Sequence, residues 1–139
     1  LNFFKEKNQM NFPPGLKYSK SHEWLSVDGD VGTCGITAWA AEQIGEVVSI
    51  DLPELGKEVK QGSAVGAVES SKASSEIYAP VSGKVVEVNT QLEEAPEKIN
   101  ESPFDEGWIF KIQIKSKEEI KSLLDAGAYQ KLTESEPEK

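Results

Sequence analysis

The chain has 139 residues, 37% of them hydrophobic and 28% charged, with a formal net charge of −9. That length suits one domain with a real core and is short for two, and the acidic balance argues against nucleic acid and anionic membrane as partners, since both attract basic patches. The single Cys, Cys34, excludes an intramolecular disulfide, and no apolar run reaches the roughly 18 residues of a membrane span.

Leu1 to Lys7 lacks the charged, apolar and small-residue pattern of a secretory signal, so none is expected. Pro13-Pro14-Gly15 marks the entry to the folded body. Lys17 to Ser19 and Glu23 to Val27 read as strands, and Asp28-Gly29-Asp30 predicts a hairpin returning through Val31 to Ile36. Cys34, in that strand, reads as a small apolar residue. Thr37 is placed to cap a short helix over Ala38 to Ile44, with Gly45 as its stop.

A repeat follows. Gly45-Glu46-Val47-Val48-Ser49-Ile50 matches Gly83-Lys84-Val85-Val86-Glu87-Val88. In each copy a stretch rich in Pro or Lys leads to a further strand, Ala64 to Val68 in the first and Trp108 to Ile114 in the second. V-V-x-V after Gly is also a common strand start. Read as a repeat, it predicts two sheets related by a pseudo-twofold. Pro96 to Asn100 is expected to form one helical turn. Ser116-Lys117-Glu118-Glu119 has the form of a capping box ahead of Ile120, Leu123 and Leu124, which predicts a C-terminal helix over about 117–126, with Gly127 as its stop and a further turn expected over Ala128 to Leu132. The eleven Gly and seven Pro fit many turns and short strands.

Between the two copies stands Glu69-Ser70-Ser71-Lys72-Ala73, a polar connection flanked by strand-like runs. A lysine on a hairpin tip is ordinarily only solvated, but it is also open to a modifying enzyme. The chemistry that would compete with modification is weakly represented. His22 is the only histidine, and with one Cys it makes no ordinary zinc site; it reads as structural or as support for a cleft. No G-x-S-x-G, G-x-G-x-x-G or P-loop pattern occurs. A Ser-Lys hydrolase would need a desolvated lysine, whereas a polar tip keeps Lys72 hydrated.

Several ordered motifs carry a resemblance: Lys17-Tyr18 with Ser21-His22-Glu23-Trp24, Gly35-Ile36-Thr37, Asp51-Leu52-Pro53, Glu69-Ser70-x-Lys72-Ala73, Ala79-Pro80-Val81-Ser82-Gly83, Gly107-Trp108 and Leu124-Asp125-Ala126. Over about Leu16 to Leu132 the chain resembles the H proteins of the glycine cleavage system, in the lipoyl/biotinyl-carrier hammerhead superfamily. The resemblance implies a mainly β fold, an antiparallel β-sandwich of the barrel-sandwich hybrid kind with a short helix in the N-terminal half and a C-terminal helix. It implies residues 1–15 as an N-terminal arm, 16–132 as a single carrier domain and 133–139 as a flexible tail. It implies lipoic acid in amide linkage on Lys72, and an arm cleft lined by Ser21, Glu23, Ile36, Ala73 and Glu76. Function follows as an implication too: a non-catalytic carrier, a monomer, shuttling an aminomethyl group between glycine decarboxylase (P protein), aminomethyltransferase (T protein) and dihydrolipoamide dehydrogenase (L protein). A lipoate ligase or lipoyl transferase would attach the arm. Bacterial cytoplasm or mitochondrial matrix would be its location.

The chain departs from the family pattern at Thr37-Ala38-Trp39-Ala40-Ala41, where many members read Thr-Asp-(His/Tyr)-Ala-Gln, and at Ser49 and Ser71. Biotin carriers have a Met on each side of the lysine, and here the neighbours are Ser71 and Ala73. The remaining alternative is an H-like lipoate-binding protein serving another pathway, such as sulfur oxidation.

Overall fold

The computed structural model describes residues 12–136. The N-terminal arm up to position 11 and the tail from position 137 lie outside that range. Among the described residues nine strands build two antiparallel sheets, and a few short helices connect them. Strands β1 (Lys17–Tyr18), β2 (Glu23–Asp28), β3 (Val31–Ile36), β5 (Glu58–Val59), β8 (Gly83–Val88) and β9 (Phe110–Ile114) form a six-stranded sheet in the order β1-β2-β3-β9-β8-β5. Strands β4 (Val47–Asp51), β6 (Ala64–Ser70) and β7 (Ser74–Tyr78) form a three-stranded sheet in the order β4-β6-β7.

Alternation along the strands makes the core. On β9 Phe110, Ile112 and Ile114 are buried while Gln113 is exposed, the period of two expected of a sheet with one covered face. They join Leu25, Val68, Ile77, Val81, Val85 and Ile99 in one apolar cluster that draws on both sheets. Each such side chain contributes about 1.5–3 kcal/mol when fully buried, so the packing of the sheets, not the helices of four to ten residues, holds this fold. Cys34 belongs to the same cluster, and burial pushes its thiol up well above the ordinary range, as suits an inert apolar residue.

The repeat seen in the sequence is structural. The first copy supplies β4, paired with β6; the second supplies β8, paired with β9 in the other sheet. In both pairs the register slips at the same repeat position, between Val47 and Ser49 in β4 and between Val85 and Glu87 in β8. The residues skipped by the slip, Val48 and Val86, are 57% and 41% exposed, next to buried Val47 and Val85.

Helix α1 covers Ala38–Ile44, as the sequence predicts: the Thr37 hydroxyl accepts the Ala40 N–H at 3.2 Å, and Gly45 ends the helix at φ +89°. Short helices α2 (Gln91–Glu94) and α3 (Lys98–Glu101) precede β9. The C-terminal helix is displaced from its expected position. Lys117–Ser122 is a 3-10 helix, and the α-helix, α4, runs over Ala126–Ser135. Its cap is Asp125, whose carboxylate accepts the Ala128 N–H at 2.8 Å, so Gly127 lies inside the first turn and stops nothing. Thr133 to Ser135, read as part of a flexible tail, continue this helix, and Thr133 is buried. Tyr129 on α4 stacks on Tyr18 at 4.7 Å and meets Phe12 edge-on at 4.9 Å. Phe12 is therefore packed into the body although it falls in the stretch read as an arm.

Candidate functional site

Lys72 stands where β6 turns into β7. Glu69 faces Ser74 across the hairpin, and the Ser70 N–H closes the turn onto the Ala73 carbonyl at 2.8 Å. The Ser70 hydroxyl organises the tip. It accepts the N–H groups of Lys72 and Ala73 at 3.2 and 3.1 Å and donates to the Ile44 carbonyl at 2.6 Å, joining the tip to the end of α1. Lys72 is exposed, as a tip lysine should be, and its stem lies along Gly45. A side-chain carbon at Gly45 would come within 3.0 Å of Lys72 Cε. Glycine there serves two ends, the positive φ and the room for the lysine stem.

Beside the tip opens a cavity of about 380 Å³. The start of β2, the end of β3, helix α1 and the β6–β7 hairpin enclose it, and Lys72 itself forms part of its rim. Ser21, Glu23, Ile36, Ala73 and Glu76 all line this one cavity. Lys72 and His22, both singled out in the sequence, line it too, whereas the further lining residues are not expected from it. Trp39, Ala40, Gln43 and Ile44 come from one face of α1, and Val68 comes from β6. The spacing of that helical face was a usable signal, but a seven-residue helix offers too short a pattern to say which face meets a cavity and which the core.

Two of the lining carboxylates differ sharply. Glu76 is exposed and accepts the Tyr78 phenol at 3.2 Å. Glu23 is 1% exposed. Its carboxylate accepts the Ser19 hydroxyl at 2.6 Å, the Ser21 hydroxyl, and the Tyr78 backbone N–H at 3.0 Å. Burial raises its pKa above the ordinary glutamate value, and these three donors pull the other way. Tyr78 thus ties the two together, one through its amide and one through its phenol.

His22 lies between Ser21 and Glu23 with φ +77°, a left-handed conformation that a non-glycine residue keeps only when its surroundings hold it. Here they do. Nδ1 is 2.7 Å from the Tyr129 hydroxyl, Nε2 is 3.1 Å from Glu136, and the ring stacks on Trp39 at 4.3 Å. The Tyr129 hydroxyl in turn lies 2.6 Å from Thr37 Oγ1, the cap of α1. His22 itself lines the cavity, and the chain from Glu136 through His22 and Tyr129 to Thr37 ties that wall to the end of α4 and to the cap of α1.

Comparison with known proteins bears on what such a cavity serves. Residues 16–136 match the family model described as glycine cleavage H-protein. The chain belongs to the glycine cleavage H-protein family. The glycine cleavage system H protein of Symbiobacterium thermophilum is 53% identical over 88% of this chain and 96% of its own length. That of Thermotoga maritima is 52% identical over 86% and 97%. The crystal structure of the H protein from Mycobacterium marinum superposes with a TM-score of 0.75 at 35% identity, covering 85% of this chain and 95% of that one. The β-sandwich of this chain is the fold of that H protein.

Proposed function

We propose that Lys72 is the point at which lipoic acid is attached, and that the cavity beside it receives the arm. The chain is a lipoyl carrier of glycine cleavage; its relatives match over nearly their whole length and carry that system's name. They do not favour a carrier for another pathway, despite Trp39 in the departing segment. The observation that carries the attachment site is the placement of Lys72, exposed on a tip whose backbone is fixed and at the rim of a cavity of matching chemistry. Ile36, Trp39, Ile44 and Val68 offer apolar wall to an apolar arm, and Ser21, Glu23 and Glu76 offer acceptors near a cationic end.

When attached, the group would supply a redox-active dithiolane whose S–S bond, once opened, offers one sulfur to a one-carbon aminomethyl fragment and leaves the other as a thiol. This chain's residues bind, orient and shield. The apolar wall excludes water, and a carboxylate in a partly shielded site favours a protonated amine by about 1.5–3 kcal/mol. The chain itself performs no bond-making step in this reading. Its partners are the decarboxylase, the aminomethyltransferase, the dihydrolipoamide dehydrogenase and the attaching ligase or transferase, which a monomeric carrier visits in turn. The bacterial relatives support a bacterial cytoplasm over a mitochondrial matrix. Among the described residues no helix is long and apolar enough to cross a membrane.

The test is the intact mass after incubation with lipoate ligase, ATP and lipoic acid. Wild type should gain one lipoyl group and Lys72→Arg none, since a guanidinium is no acyl acceptor. Stability should change by less than about 0.5 kcal/mol, as for other surface substitutions. A lipoyl adduct on Lys72→Arg would move the site to another lysine.

A further inference from the structure

We propose that Ser70 is a positioning residue for acylation of Lys72: its hydroxyl holds the tip of the hairpin against the end of α1, and this fixed tip sets the rate of attachment. The inference rests on Lys72 being the attachment site. Two neighbouring amides, those of Lys72 and Ala73, converge on one oxygen at 3.2 and 3.1 Å. An oxygen accepting two hydrogen bonds has its own proton left to give, and the Ile44 carbonyl, 2.6 Å away, takes it. That carbonyl is among the last of α1 and has no partner within the helix. One hydroxyl therefore satisfies groups from two elements, and both elements line the same cavity. The Lys72 stem resting along Gly45 is the visible consequence, because Gly45 follows Ile44 directly.

Attachment requires the neutral Nζ to attack the acyl carbon of an acyl-adenylate. The C–N bond forms, the C–O bond to the adenylate breaks, AMP leaves with the electron pair, and the nitrogen loses its extra proton. Ser70 touches none of these atoms. What it changes is the freedom of the tip, which must be ordered each time the chain docks on the attaching enzyme. Ordering a loop that was free lowers productive encounter. Ser71 provides the internal control. It is exposed, next to Lys72, and its hydroxyl is not used in the tip.

The experiment measures kcat/KM for lipoylation of the full chain by lipoate ligase with ATP and lipoic acid, alongside amide hydrogen exchange. Ser70→Ala should lower kcat/KM by about tenfold and speed exchange at the Lys72 and Ala73 amides, and Ser71→Ala should do neither. If Ser70→Ala folds poorly, the pair Ser70→Thr and Ser70→Val isolates the hydroxyl at nearly equal bulk, and only Thr should keep the rate. Faster exchange with an unchanged rate in Ser70→Ala, or equal rates for Thr and Val, would overturn the inference and leave Lys72 as the site. A wild type that gains no lipoyl group, or a Lys72→Arg variant that does, would instead overturn the reading on which it rests.

Discussion

Glu23 offers the sharpest quantitative test, because glutamine and alanine at this position should behave very differently. The carboxylate takes three donors, the Ser19 and Ser21 hydroxyls on one oxygen and the Tyr78 N–H on the other. A glutamine fits the same site. Its carbonyl can accept the Tyr78 N–H while its amide group donates to the two serine oxygens. Alanine strands the Tyr78 N–H, at about 1–3 kcal/mol for a buried unpaired donor, and removes a buried methylene worth about 0.8 kcal/mol. The serines, 3.2 Å apart, can bond each other and add little. Glu23→Ala should therefore cost about 2–4 kcal/mol, or about 5–15 °C in Tm for a domain of this size. The pH dependence carries a sign. Burial raises the pKa of Glu23 in the folded chain, so the native state holds this proton where the unfolded chain has released it. Stability from this group then falls as pH rises from the ordinary glutamate range toward the raised folded value. Glu23→Gln does not titrate, and the other carboxylates are common to both proteins. Urea unfolding of wild type and Glu23→Gln between about pH 4 and 7 should show the difference moving in favour of Gln as pH rises. Parallel curves, or an alanine variant as stable as the glutamine one, would refute the reasoning.

Gly45→Ala combines a left-handed backbone with a close approach to Lys72 Cε, so it should lose about 1–3 kcal/mol in denaturant unfolding and also slow lipoylation, by displacing the lysine stem. Tyr129→Phe removes the hydroxyl between His22 and Thr37 and should cost about 1–3 kcal/mol, with exchange at the Ala40 amide quickening as the α1 cap loosens. Glu23→Gln combined with Glu76→Gln should leave lipoylation intact and hasten breakdown of the loaded arm, followed as formaldehyde release after the loading enzyme is removed. Equal decay for this double variant and wild type would withdraw both carboxylates from protecting the arm.

Sequence by itself determined the features that depend on neighbouring residues. The Gly29–Asp30 turn between β2 and β3, the bounds of α1, and the repeat that becomes β4–β6 and β8–β9 all follow from caps, turn residues and alternation acting within a few positions. The lysine tip was legible for the same reason, since a polar connection between two apolar runs is a local pattern. Tertiary structure decided the rest where a distant group competed for a local one. Ser116 to Glu119 has the letters of a capping box, yet the Ser116 side chain caps nothing. The carboxylate of Glu119 accepts the Ser82 N–H at 2.7 Å and the Ser82 hydroxyl at 2.9 Å instead. With its glutamate committed to another element, the segment tightens into a 3-10 turn, and the α-helix starts at Asp125. Glu23 shows the same principle at the candidate site. A glutamate at the head of a strand carries no local sign of burial, and only the approach of β7, bringing the Tyr78 N–H from 55 residues away, makes it a buried acceptor. Hydrogen-bond groups take the best partner the fold delivers, and a sequence specifies such partners reliably only when they lie nearby in the chain.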